Sequence, residues 1–146
     1  MSEAPFHVAT RELEAPIAAV WAIIGDFGGL KRWSGAVESC SADGNAVGAM
    51  RRVVIAGGEI VERLEAFDPA DHTLCYRPVS GSTLPIAGMN GAMQLTPLDE
   101  ARTRIDWTVF GRPTIDPDKA RGSIARRYAF RLDELAACLA GSAAGA

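Results

Sequence analysis

The chain has 146 residues, with 15 Lys and Arg against 18 Asp and Glu, a formal charge of −3 and a pI near 5.4. That length suits one domain around one core, since single cores serve about 100–200 residues, and the acidic balance offers a polyanion no electrostatic footing, so no nucleic-acid partner is expected. The N-terminus "MSEAPFHVATRELEAP" carries glutamates where a secretory leader would carry lysine and an apolar run, and no segment reaches about 18 apolar residues; a cytoplasmic protein without a membrane span is expected.

The first predicted element is a strand over 6–13. In "PIAAVWAIIG", Ile17, Val20, Trp21 and Ile24 form one apolar stripe at helical spacing. Pro16 suits the first turn of that helix, and Gly25 suits a left-handed stop. "DFGG" then reads as a turn, not as a kinase magnesium site, because the chain has no Val-Ala-Ile-Lys strand and no His-Arg-Asp loop. Asp26 is expected to cap a second short helical piece, with Phe27 and Trp33 as core anchors.

From Val37 onward, short β-branched runs are punctuated by "ADGN", "AGG", "DPAD" and "LDEA", which predicts antiparallel strands near 37–41, 49–56, 59–67, 73–79, 91–97 and 103–110. No strand is followed by a helix of 10–15 residues, which disfavours a βαβ dinucleotide fold. Asp116 and Pro117 open the last helix, expected to reach Leu139, with Ile124, Tyr128, Leu132, Leu135 and Leu139 on one face. The basic residues gather there, in "ARGSIARRYAFR", and read as a solvated helix face. Residues 1–140 make one domain, and the small residues of 141–146 read as a flexible tail.

Cys40, Cys75 and Cys138 are odd in number and widely spaced, so they read as reduced thiols. His7 and His72 have no partners at ligand spacing, so neither a metal site nor a cofactor is expected. No nucleophile–histidine–carboxylate set is visible.

The order of elements (strand, two short helices, antiparallel strands, long helix) is that of an α+β helix-grip fold, with a curved sheet of about seven strands around the C-terminal helix. The pieces "APIAAVWAIIGDFGGLKRW", "VGAMRR", "IVERLEAFD", "LCYRPV", "PIAG" followed by "MNGAMQLTP", and "RIDWTVFGRP" resemble the SRPBCC superfamily. That group holds START domains, the major birch-pollen allergen, plant abscisic acid receptors and bacterial polyketide cyclase/dehydrase-like proteins. The resemblance covers nearly the whole chain and is strongest to the bacterial cyclase-like branch. It implies a ligand cavity between sheet and helix. The chain departs from the receptor branch in its short "AGG" connection and in Glu38, which stands where a basic pocket residue is expected, so an anchored carboxylate like the plant hormone's is not implied.

Alternation places Ile60, Glu62, Leu64 and Ala66 on one face of their strand, the more apolar and hence inward face. A buried Glu62 needs a cation, a donor or a proton; Arg51 or Arg52 can reach it across neighbouring strands. Leu74, Tyr76 and Pro78 share a face, as do Met89, Gly91, Met93 and Leu95. For 103–110 two readings stay open. Alternation turns Ile105, Trp107 and Val109 inward, whereas alignment to the receptors turns Asp106, Thr108 and Phe110 inward. An outward Trp107 would favour a homodimer. The eleven residues "GSTLPIAGMNG", 81–91, read as a lid loop.

The expected ligand contacts are Glu62, Leu64, Tyr76, Pro78, Leu84, Met89, Met93, Ile124 and Tyr128. The expected function is binding of a small apolar or aromatic molecule. The alternative is a polyketide cyclase/dehydratase in which Glu62 and Tyr76 move protons. Lipid transfer would demand a longer cavity.

Overall fold

Turn chemistry lays the strands side by side. In the computed structural model, which describes residues 4–144, the elements run β1 (His7–Leu13), α1 (Ile17–Ile24), a 3₁₀ turn (Leu30–Arg32), β2 (Val37–Ala42), β3 (Met50–Ile55), β4 (Gly58–Asp68), β5 (Thr73–Ser80), β6 (Ile86–Pro97), β7 (Thr103–Pro113) and α2 (Pro117–Ala144). Ala56 and Gly57, at φ 51° and 76°, make the two-residue β3–β4 turn whose twist suits a hairpin. The Asp68 carboxylate accepts the N–H groups of Ala70 (3.1 Å) and Asp71 (3.2 Å) and bends β4 back into β5. All seven strands form one antiparallel sheet in the order β1-β7-β6-β5-β4-β3-β2. This is the helix-grip architecture expected from the element order.

The helix α2 has 28 residues, about 42 Å at 1.5 Å per residue, and packs against β1 and β7. Asp116 caps it, its carboxylate accepting the Lys119 N–H at 3.1 Å. Ile124, Tyr128, Leu132, Leu135 and Leu139 are all buried, as the stripe predicted; each such apolar side chain contributes about 1.5–3 kcal/mol by leaving water. The helix passes its expected end at Leu139 and takes in residues 141–144 of the expected tail. The last two residues lie outside the described ones.

Several local expectations are corrected. Gly25 has φ −74°, in the right-handed region, so it is not a left-handed stop; a Cβ there would meet the Trp21 carbonyl at 2.7 Å, which is why the position is bare. Asp26 makes no side-chain cap, and the Phe27 N–H is taken instead by the Asn45 side chain at 2.9 Å. In α1 the buried residues are Val20, Ile23 and Ile24, while Trp21 lies half-buried against Phe67, 5.4 Å between ring centres. Ala66 is exposed and Phe67 turns in, because a bulge between Leu64 and Ala66 adds a residue and reverses the alternation. The predicted lid 81–91 shrinks to 81–85, since β6 starts at Ile86 and pairs with Pro113.

At the start of β7 the wholly buried Thr103 donates its hydroxyl to the Ala15 carbonyl at 2.8 Å, fastening the chain just before α1. Thr103→Val keeps the shape but strands that carbonyl, and should cost about 1–3 kcal/mol. Thermal unfolding should show a midpoint several degrees lower; an unchanged midpoint would mean that the bond holds nothing.

Candidate functional site

The sheet is divided where the cavity opens. β5 pairs with β6 only from Thr73–Gln94 to Tyr76–Gly91, although β5 continues to Ser80 alongside β4 and β6 reaches back to Ile86 alongside β7. Pro78 sits in the part of β5 that is paired to β4 but not to β6, and has no N–H to offer on the open side. Between the inner face of this divided sheet and α2 lies a cavity of about 480 Å³. That volume falls in the range of about 300–1,000 Å³ typical of small-molecule sites.

Its deep end is aromatic and tightly bonded. Tyr76 faces Gly91 across the β5–β6 pair, and a Cβ at 91 would come within 2.6 Å of the phenolic oxygen. Glycine therefore makes room for the ring. The Trp107 indole N–H donates to the Tyr76 hydroxyl at 3.0 Å, and Trp107 lies 4.5 Å from the Tyr128 ring and 6.1 Å from Trp33. Beside them Arg51, 9% exposed, donates to Glu62 Oε1 through Nε (2.9 Å) and Nη2 (2.5 Å), and to the Phe27 carbonyl at 3.2 Å. Its guanidinium carbon sits 4.2 Å from the Phe27 ring centre and 5.3 Å from that of Tyr76. Each of the three guanidinium nitrogens donates a hydrogen bond and the flat face lies against aromatic rings, which offsets the cost of burying an arginine.

Of the expected contacts, Glu62, Tyr76, Pro78, Leu84, Met89, Met93 and Tyr128 line the cavity. Leu64 and Ile124 do not. Both are fully buried in the hydrophobic core and absent from the cavity lining, so facing inward brought them to the core and not to the wall. Arg51 is the arginine that pairs with Glu62; Arg52 points out and pairs with Glu59. On β7 the residue alternation is right. Ile105, Trp107 and Val109 are buried, and the receptor-like register is wrong by one residue. With Trp107 turned inward, the argument for a homodimer from that residue falls away.

The mouth is bordered by the exposed Ala56, by 81–83 and by Phe130, which is 57% exposed. Arg127 and Arg131 also line the cavity, and sequence reasoning missed them. The available signal was their position flanking the inward Tyr128 on α2, which a reading of the whole basic run as solvated surface discards. Arg127 reaches the Thr83 hydroxyl in a long hydrogen bond of 3.5 Å, and Arg131 donates to the Ser34 hydroxyl, which in turn donates to Glu134 at 3.1 Å.

Burial pushes the Tyr76 phenol up to about 12, with the Glu62 charge adding to the effect, and burial raises Tyr128 well above its ordinary value of 10. These are the only two tyrosines in the chain. Absorbance near 295 nm should therefore show no phenolate forming in the native protein around pH 10, where a free tyrosine titrates. Because both folded values lie above the unfolded one, their stabilisation is complete below about pH 10, and that of Tyr76 is lost as pH rises through about 12. A normal tyrosine titration in the folded protein would show that these phenols are not buried.

The fold recurs widely. A protein of unassigned function from Bacillus thuringiensis superposes with a TM-score of 0.82 at 19% identity, covering 91% of this chain and 97% of its own. The Zhui aromatase/cyclase of a Streptomyces species superposes with a TM-score of 0.64 at 22% identity, covering 94% and 92%. Both are likenesses of fold. In sequence, the abscisic acid receptor PYL6 of Arabidopsis thaliana is 32% identical over 83 residues, 52% of this chain but only 39% of the receptor's length. The family model described as polyketide cyclase / dehydrase and lipid transport matches residues 7–140, nearly the whole fold just described, and the chain belongs to that family.

Proposed function

We propose that the protein binds a small apolar or aromatic molecule inside the cavity between sheet and α2. The observation that carries this reading is the cavity itself, about 480 Å³ and walled chiefly by apolar side chains such as Ile24, Ile60, Leu74, Met89 and Met93. Met89 and Met93 give it an adaptable wall. At the deep end the Tyr76 and Tyr128 hydroxyls and the Arg51–Glu62 pair supply the few polar groups that orient a ligand. Membership of a family whose description includes lipid transport supports the same reading.

The alternative is a cyclase or dehydratase. It draws on the family's description and on a phenol set in a largely apolar pocket, where Tyr76 can donate a proton but, with its value near 12, is no base at neutral pH. Glu62 is held by two hydrogen bonds from Arg51, so taking up a proton would weaken that pair. Both features favour orientation over proton transfer.

Native mass spectrometry and displacement of an uncharged apolar fluorophore test the binding reading. Ile60 lines the cavity and is half-buried, so Ile60→Trp adds volume on the cavity side. It should weaken probe binding by about tenfold or more while leaving the melting temperature within a few degrees. Unchanged binding in that variant, or no binding in the wild type, would place the function elsewhere. For the alternative, a polyketone substrate whose cyclisation is abolished by Tyr76→Phe, with binding intact, would make the protein an enzyme.

A further inference from the structure

At the deep end of the cavity the charges are already matched, Arg51 by Glu62. The mouth differs. Arg127 and Arg131 stand four residues apart on α2, hence on one face, and both line the cavity. Among the described residues neither has a carboxylate within ion-pairing distance, in contrast to Arg51 on the same wall; Arg32, Arg112 and Arg126 also lack one but do not line the cavity. Among the described residues their side-chain hydrogen-bond partners are the hydroxyls of Thr83 and Ser34. Glu134, linked to Arg131 only through the shared Ser34 hydroxyl, directs its two oxygens to Ser34 and to the Gly35 N–H, the latter at 2.6 Å. Like charges at this helical spacing repel.

The cavity wall as a whole carries three arginines, Arg51, Arg127 and Arg131, against two carboxylates, Asp26 and Glu62. This excess of one positive charge occurs in a protein whose net charge is −3. From this we infer that the ligand is an amphipathic acid, its apolar body inside and its carboxylate at the mouth between Arg127 and Arg131, an inference that rests on the binding reading above. The guanidinium fork matches a planar carboxylate and gives charge-assisted hydrogen bonds. A single negative charge balances the wall, whereas a phosphate monoester would bring about −1.5 to −2. Head-out binding also keeps the carboxylate hydrated on one side, avoiding the cost of burying it in the apolar interior.

The test compares dodecanoate with dodecan-1-ol, which differ only at the head, as competitors for an uncharged naphthylamine fluorophore at low salt and pH 8. Dodecanoate should displace the probe at concentrations about tenfold lower than the alcohol, and added salt should narrow that gap. In Arg127→Gln/Arg131→Gln the preference should fall to about twofold or less, with the alcohol's affinity unchanged. Because Arg131 also holds Ser34, the single variant Arg127→Gln, at an exposed position, serves as the version least able to disturb folding; it should lose part of the preference. Equal displacement by acid and alcohol in the wild type, or a preference that survives both substitutions, overturns the inference while leaving cavity binding intact. If the probe itself does not bind, the binding reading fails and the carboxylate site fails with it; if it binds but neither compound displaces it, the carboxylate site alone fails.

Discussion

The ring of Tyr76 lies where a side chain at position 91 would be, and the interior is arranged around that substitution of ring for Cβ. Because Gly91 leaves the space, the phenol reaches the indole N–H of Trp107 on β7, and Trp107 in turn stacks toward Tyr128 on α2 and Trp33 beyond the 3₁₀ turn. Contacts between strands distant in sequence thus converge on one aromatic layer. Aromatic pairs of this kind add about 0.5–1.5 kcal/mol each beyond the area they bury. Trp33, Tyr76, Trp107 and Tyr128 all line the cavity, so this bonded layer forms part of its wall.

The second constraint is the buried ion pair. Taking Arg51 and Glu62 out of water costs several kcal/mol for each ion, and their attraction offsets that only when the geometry is good and the remaining donors are satisfied. Here Arg51 spends its donors on Glu62 and on the Phe27 carbonyl while its flat face rests on Phe27. The pair therefore ties the chain after α1 to β3 and β4. It is a positioning element for the cavity wall as much as a chemical group within it.

Much of this was legible from residue spacing, and the failures have identifiable causes. Period-two alternation correctly turned Tyr76, Met93 and Trp107 inward on regular stretches of strand, and also Glu62 and Met89, which border or lie within irregular pairings. It failed at Ala66, where the bulge inserts one residue and leaves no trace in hydrophobicity. It also separated wall from core poorly. Leu64 and Glu62 lie on the same face of β4, yet one is sealed in the core and the other borders the cavity; that depends on position along the strand, which periodicity does not encode. The beginning of β6 was hidden by turn-forming residues, Pro85 before it and Gly88 (φ 63°) within it. Gly25 was read as conformational freedom when its role is closeness to Trp21. The mouth arginines were lost because composition assigns charge to solvent unless something marks where the surface turns concave.

The placement of these irregularities explains how one chain keeps both a firm core and an open cavity. β1, β7 and the far half of β6 pair continuously, and with α1 and the C-terminal half of α2 they enclose Leu13, Ile105, Val109, Leu132 and Leu135 without interruption. The gap between β5 and β6, the short 81–85 connection and the charged flank of α2 all fall at the opposite end. Folding energy comes mainly from the first half, since burial of apolar area dominates it. Side chains around the second half are therefore free to suit a ligand at little cost in stability. Such a division lets the same framework accept different wall residues, and it is why the identity of the ligand must be sought in the mouth and the deep polar end, where this chain's own charges stand, and not in the fold.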